Sequence, residues 1–232
     1  NLKKDMLRIL EPILKEIIGI YLTGSYSREE QEEDSDIDIL VVTESINKVM
    51  NIGKYHIIIV SLKQAKKALE KNIITIFPLI KEAKVILNKH LLTELKNTKI
   101  TKDKLKWHIA TSKSALAIVR SLLSFEDDKI KNTAIIYSLF LRLREAYIVD
   151  CLLKNKNYST RELIRIVSKK INKKTIKDLY AIYRAERDNK KLPKYEVAKE
   201  DVNRLYSLVK NMINKKEKIL YAKKGKDTQK HN

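Results

Sequence analysis

The sequence predicts an α+β protein, with a small mixed-sheet domain followed by an all-α helical bundle. Short apolar runs of strand type alternate with short helical repeats over the first 90 or so residues. Beyond Ile100 that alternation stops, long amphipathic segments take over, and no glycine occurs between Gly53 and Gly225. A chain of 232 residues with 44% hydrophobic side chains can bury a core despite 34% charge.

Leu7, Leu10, Ile13, Leu14 and Ile17 recur at helical spacing, and Pro12 predicts a kink or break among them. Gly19 ends that helix, and Ile20-Tyr21-Leu22 reads as a short buried strand entering Gly24-Ser25. A second strand, Ile37 to Val42, is apolar enough to be central in its sheet, and a third runs Tyr55 to Val60. Ser61 is placed to cap a helix over Leu62–Leu69. A further short helix before Lys81 leads to an edge strand, Ala83 to Leu87. Helices are expected near 102–124, 128–155, 160–170, 174–189 and 197–220, with capping-box spacing at Ser159-Thr160-Arg161-Glu162. Pro193 falls in the link before the last of them. These readings divide the chain into a sheet domain at 1–95, a helical bundle at 100–222 and a polar, disordered tail at 223–232.

Charge is distributed unevenly. Residues 1–100 carry 16 Lys+Arg against 14 Asp+Glu, which leaves 33 against 15 for residues 101–232. So basic a half invites a polyanion such as RNA, DNA or an acidic protein, or reflects a Lys/Ile-rich compositional bias. Cys151 is the single cysteine, in an apolar helical stretch; it reads as core, excludes an internal disulfide and fits a reducing, cytoplasmic setting. Scattered histidines and one thiol argue against zinc. No apolar run reaches the roughly 18 residues of a bilayer span, and the N-terminus lacks a signal-peptide pattern, so no membrane association is expected.

Within this basic chain, Gly24 to Val42 concentrates acid. Asp36 and Asp38 have strand spacing, which puts two carboxylates on one face while Ile37 and Ile39 enter the core. Such a pair repels itself unless a cation intervenes, and Mg²⁺ suits a site that also receives phosphates. The Gly24-Ser25 turn offers backbone N–H groups and a hydroxyl for phosphate oxygens. Glu29, Glu30, Glu32, Glu33 and Asp34 read as a solvated loop. Together these features point to phosphoryl chemistry on a nucleoside triphosphate.

The combination hydrophobic-Gly-Ser, a spacer of about ten residues, then Asp-hydrophobic-Asp-hydrophobic resembles the DNA-polymerase-β-type nucleotidyltransferase superfamily. The likeness is closest to its minimal, mostly prokaryotic members and covers about residues 15–90. Gly24, Ser25 and Arg28 match the first part of the signature, and Ser35, Asp36 and Asp38 the second; Ser27 and Glu29 depart from it. The resemblance implies a Mg²⁺-dependent transfer of a nucleoside monophosphate from an NTP to a hydroxyl of a protein, RNA or small molecule. Asp36 and Asp38 would hold the metal, and Gly24, Ser25 and Arg28 the nucleotide. It also implies a third carboxylate on the next strand, where this chain has none. His56 aligns with that position, as a base or as a polar strand-end residue. Alternatively a base comes from the helical half, with Glu145 the candidate catalytic residue, unless it only pairs with Arg142 one turn away. The missing acid also leaves open a degenerate fold that binds RNA or protein.

In the helical half, Tyr180, Arg184 and Arg187 share a helix face with Tyr183 beside them. Tyr183, Arg184 and Arg187 suit stacking a base and gripping acceptor or phosphate, and equally describe core tyrosines with snorkelling arginines. The Arg-x4–6-His motif of helical partners in toxin–antitoxin systems is absent, since no histidine lies between His108 and His231.

Overall fold

In the computed structural model, residues 2–33 and 35–222 are described. Contacts divide the chain into two compact units, one from Asn1–Lys104 with Ile148–Arg165, the other from Leu105–Tyr147 with Ile166–Asn232. The segment 148–165 thus returns from the helical half of the sequence to the unit that holds the sheet.

The first unit opens with helix α1 (Leu2–Leu10), which buries Met6 and Leu10. Pro12 breaks the periodic run, and Glu11–Glu16 form a 3₁₀ segment. Five strands follow, β1 (Ile17–Thr23), β2 (Ile37–Thr43), β3 (Lys48–Ile52), β4 (Tyr55–Ser61) and β5 (Lys84–Leu87), in the spatial order β3-β4-β2-β1-β5. Only β2 and β4 run parallel; the other neighbours are antiparallel. As expected, β2 is central and nearly all buried, and β5 is an edge strand.

β3 is a strand the sequence hides. Its residues are exposed except for a half-buried Met50, so no apolar alternation marks it. Gly53, with φ +57°, makes the tight turn that pairs β3 with β4.

Helices α2 (Gly24–Arg28), α3 (Leu62–Lys71), α4 (Ile73–Glu82) and α5 (Lys89–Lys96) complete the N-terminal part. Ser61 caps α3, its hydroxyl accepting from the Gln64 N–H at 3.3 Å. Ile20, Ile39, Val41, Ile57 and Ile59 of the sheet form one core cluster with Met6 and Leu10 of α1. Tyr21 is fully buried, donates to the Asn88 carbonyl, and has its phenol pushed up to about 12 by burial.

The helices of the remaining sequence are α6 (Lys102–Ser124), α7 (Thr133–Leu153), α8 (Thr160–Ser168), α9 (Lys173–Arg187) and α10 (Lys199–Tyr221). Cys151 is buried, as its apolar context predicted. In the second unit, Phe140 stacks with Tyr183 at 5.6 Å, among buried Leu139, Leu143, Leu179 and Ile182. No helix among the described residues is long and apolar enough to cross a membrane. The disorder expected of 223–232 falls outside the described residues.

Candidate active site

β1 carries the chain to Thr23, opposite Asp38 in the antiparallel register with β2. There Gly24 turns with φ +69°, a conformation side-chain-bearing residues rarely adopt. A Cβ at Gly24 would lie 2.0 Å from Asp38 Oδ2, so the turn closes directly onto that carboxylate and only glycine fits. Ser27 Oγ donates back to the Gly24 carbonyl at 2.9 Å, and the left-handed Glu29 (φ +60°) ends α2. Gly24 and Asp38, fourteen residues apart in sequence, are therefore parts of one structure.

Asp36 directly precedes β2 and is exposed; Asp38 is the second residue of the strand and is half-buried. Ile37 and Ile39 enter the core, as alternation requires. In the parallel pairing of β2 with β4, Asp38 registers with His56, and His56 Nδ1 lies 2.9 Å from Asp38 Oδ1. Asp38 thus has one oxygen against Gly24 and the other bonded to His56. His56 occupies the place where the resemblance expects an acid.

Beneath the turn lies a network that sequence reasoning missed. Glu82, at the end of α4 with its side chain only 3% exposed, accepts the Gly24 N–H at 2.8 Å and Arg28 Nη1 at 2.6 Å. Burial pushes the Glu82 carboxyl up, while Arg28 and the Gly24 N–H oppose that rise. Burial alone would lower the Arg28 guanidinium, but Glu82 and Glu30 hold it above its usual value. Arg28 Nε also donates to Glu30 at 3.0 Å, and its guanidinium lies 5.3 Å from the Tyr158 ring centre.

Glu30 corrects the solvated-loop expectation. It accepts hydrogen bonds from the Ser159 hydroxyl and the Thr160 N–H at the start of α8, and with Arg28 these hold its carboxyl low against the pull of burial. Ser159 Oγ also accepts the Glu162 N–H at 3.1 Å, so the predicted cap is present. Exposed Glu29 pairs with Lys84 at 2.8 Å, and Glu32 and Glu33 are exposed. Asp34 falls outside the described residues.

The other candidates belong to the second unit. Glu145 Oε2 accepts from Arg142 Nη1 at 2.6 Å and from Ser112 Oγ at 3.1 Å, which is the helix pair its spacing allowed. Tyr183 is 3% exposed and stacks on Tyr137 and Phe140, so its ring serves the core and has no face for a nucleobase. Arg187 lies 5.9 Å from the Tyr183 ring centre and donates to both Asp188 oxygens, which raise its pKa although burial opposes them. Arg184 follows Tyr183 on α9 and is half-buried.

Glu82 and Glu30 escaped the sequence because their partners are far along the chain. Glu82 bonds Gly24 across 58 positions, and Glu30 bonds Ser159 across 129. The one available signal was Glu82 itself, an acid closing a helix that is apolar apart from Thr75 and Lys81.

Among solved structures, a nucleotidyltransferase-like protein from Exiguobacterium sibiricum is 14% identical, with 95% of this chain and 78% of that one covered and a TM-score of 0.39. A spectinomycin adenyltransferase from Enterococcus faecialis, solved with ATP and spectinomycin, is 13% identical over 93% of this chain and 96% of its own, with a TM-score of 0.43. No curated protein matches the chain. The sequence model of the nucleotidyltransferase domain matches residues 3–224, which spans, among the described residues, the five strands and ten helices but for the first residue of α1. The chain belongs to the nucleotidyltransferase domain family.

Proposed function

We propose that this protein transfers a nucleoside monophosphate from an NTP to an acceptor hydroxyl, at a site built on Asp36, Asp38 and Ser25. The observation that carries this reading is the closure of Gly24 onto Asp38 Oδ2, which joins the Gly-Ser turn to one of the two carboxylates. Mg²⁺ fits the donor set. Asp36 and Asp38 are hard oxygen donors with access to solvent, and no group of three or more His, Cys, Asp or Glu forms a full protein cage among the described residues. Mg²⁺ is commonly held by one or two carboxylates together with substrate phosphates and water. When bound, it would neutralise charge across the phosphates.

The residues then divide the work. Asp36 and Asp38 would hold the metal, and His56 orients Asp38 through Oδ1. Gly24 spends its N–H on Glu82, so the phosphate contacts of the turn fall to Ser25. Arg28, engaged by Glu82, Glu30 and Tyr158, braces the turn. The acceptor oxygen forms a bond to the α-phosphorus, the bond to the β-phosphate oxygen breaks, and pyrophosphate carries away that electron pair. The acceptor proton passes to water or to a basic side chain. Positioning and charge stabilisation supply most of the rate.

A second reading, a binding module on a nucleotidyltransferase fold, is favoured by one observation, the histidine in the place of a third acid. The test incubates the protein with α-labelled NTPs, Mg²⁺ and total RNA or lysate, beside an Asp36→Ala/Asp38→Ala control. Transfer by the native chain and none by the double variant is the expected result. Transfer that survives the double substitution would refute the carboxylate mechanism. Absence of transfer to any acceptor, with RNA still bound, would favour the binding module.

A further inference from the structure

Gly24 is held from two sides. Asp38 Oδ2 lies where its Cβ would be, and Glu82 Oε1 accepts its N–H at 2.8 Å. The second oxygen of Glu82 takes Arg28 Nη1, from the last residue of the same short helix, at 2.6 Å. One buried carboxylate therefore pins both ends of the five-residue segment Gly24–Arg28. Glu30 takes Arg28 Nε at 3.0 Å, so the guanidinium is fixed in direction as well as in place.

We infer that Glu82 is a positioning residue for the nucleotide end of the site, setting the distance of the Gly-Ser turn from Asp38. This inference rests on the nucleotidyl-transfer reading and adds a residue to it. Three physical arguments support the assignment. A carboxylate with a side chain 3% exposed is kept in an interior only where it is paired, and Glu82 has both a cationic and a backbone donor. An apolar residue of similar size would fill the same space and leave the Gly24 N–H and Arg28 Nη1 without their acceptor, so the acid is required by the turn itself. Finally, Glu82 withdraws the Gly24 N–H from any incoming phosphate. The donors left for the triphosphate thereby move one residue on, to Ser25, and the register of the nucleotide against Asp36 and Asp38 follows.

The same bonds separate Glu82 from the role of a general base. Both of its oxygens already accept from donors, and its side chain is closed to solvent. It works on the site only through Gly24 and Arg28.

The test compares Glu82→Gln, Glu82→Asp and Glu82→Ala with the native chain. Glutamine keeps an acceptor for the Gly24 N–H but sets an N–H₂ against Arg28; aspartate keeps the charge and shortens the reach. Label transfer is measured well below each variant's melting temperature, with kcat and KM for the NTP resolved separately. Hydrogen exchange at Gly24–Arg28 is followed without nucleotide. The expected result is a fall in kcat of roughly 100-fold for Glu82→Gln, with partial recovery in Glu82→Asp. Loss of the slow Gly24 amide in Glu82→Ala accompanies it. Native kcat and KM in Glu82→Gln, or an unchanged Gly24 amide in Glu82→Ala, would overturn the inference. If the native chain transfers no label, the nucleotidyl-transfer reading fails. The exchange measurement still decides whether Glu82 holds the turn, and Glu82→Gln serves if Glu82→Ala does not fold.

Discussion

Gly24 leaves no room for a side chain. Its φ of +69° costs an L-residue about 1–2 kcal/mol, and an added Cβ would strike Asp38 Oδ2. Gly24→Ala is therefore expected to lower stability by about that amount and to abolish label transfer, because the carboxylate must move aside. Denaturant melts and a transfer assay check the two effects separately. His108 gives a residue-scale prediction in the other unit. Its Nε2 is buried with no hydrogen-bond partner among the described residues, and burial pushes the imidazole down to about 4. Unfolded histidine titrates near 6.5, so between these values the unfolded chain binds more protons and stability falls as pH drops through that window. Melting temperatures at pH 7 and pH 5 should differ more for the native chain than for His108→Leu. An equal difference would show that His108 is not the group responsible.

Among the elements, β2 was readable from its continuous apolar run, and α3 from Ser61 before a helical repeat, because each signal is local. β3 was unreadable because an exposed edge strand needs no buried face. The Gly-Ser turn and the two aspartates were legible as a motif, since their spacing is fixed by adjacent strands β1 and β2. The brace under them was not, because Glu82 and Glu30 find their partners across most of the first unit and into its returning segment. Tyr183 shows the reverse: a helical stripe of aromatics and arginines reads alike whether it binds a ligand or fills a core, and burial decides for the core. Ser159→Ala removes both the α8 cap and the bond to Glu30, and should cost about 1–2 kcal/mol in chemical unfolding. It should also loosen exchange at Glu30.

At the scale of the whole molecule, the carboxylate site lies in a chain of net charge +20, most of it in residues 101–232. A polyanionic acceptor held by that charge would show it through salt. With four phosphate contacts, affinity for a single-stranded RNA should fall about 50-fold between 50 and 200 mM salt. A flat response would assign the lysines to composition alone. Which bond of the nucleotide breaks is decided by paired reactions with the label at the α- or the γ-phosphate. Nucleotidyl transfer leaves covalent α-label on the acceptor and γ-label in pyrophosphate, both lost in Asp38→Ala. Label from the γ-position on the acceptor, or no dependence on Asp38, would contradict it.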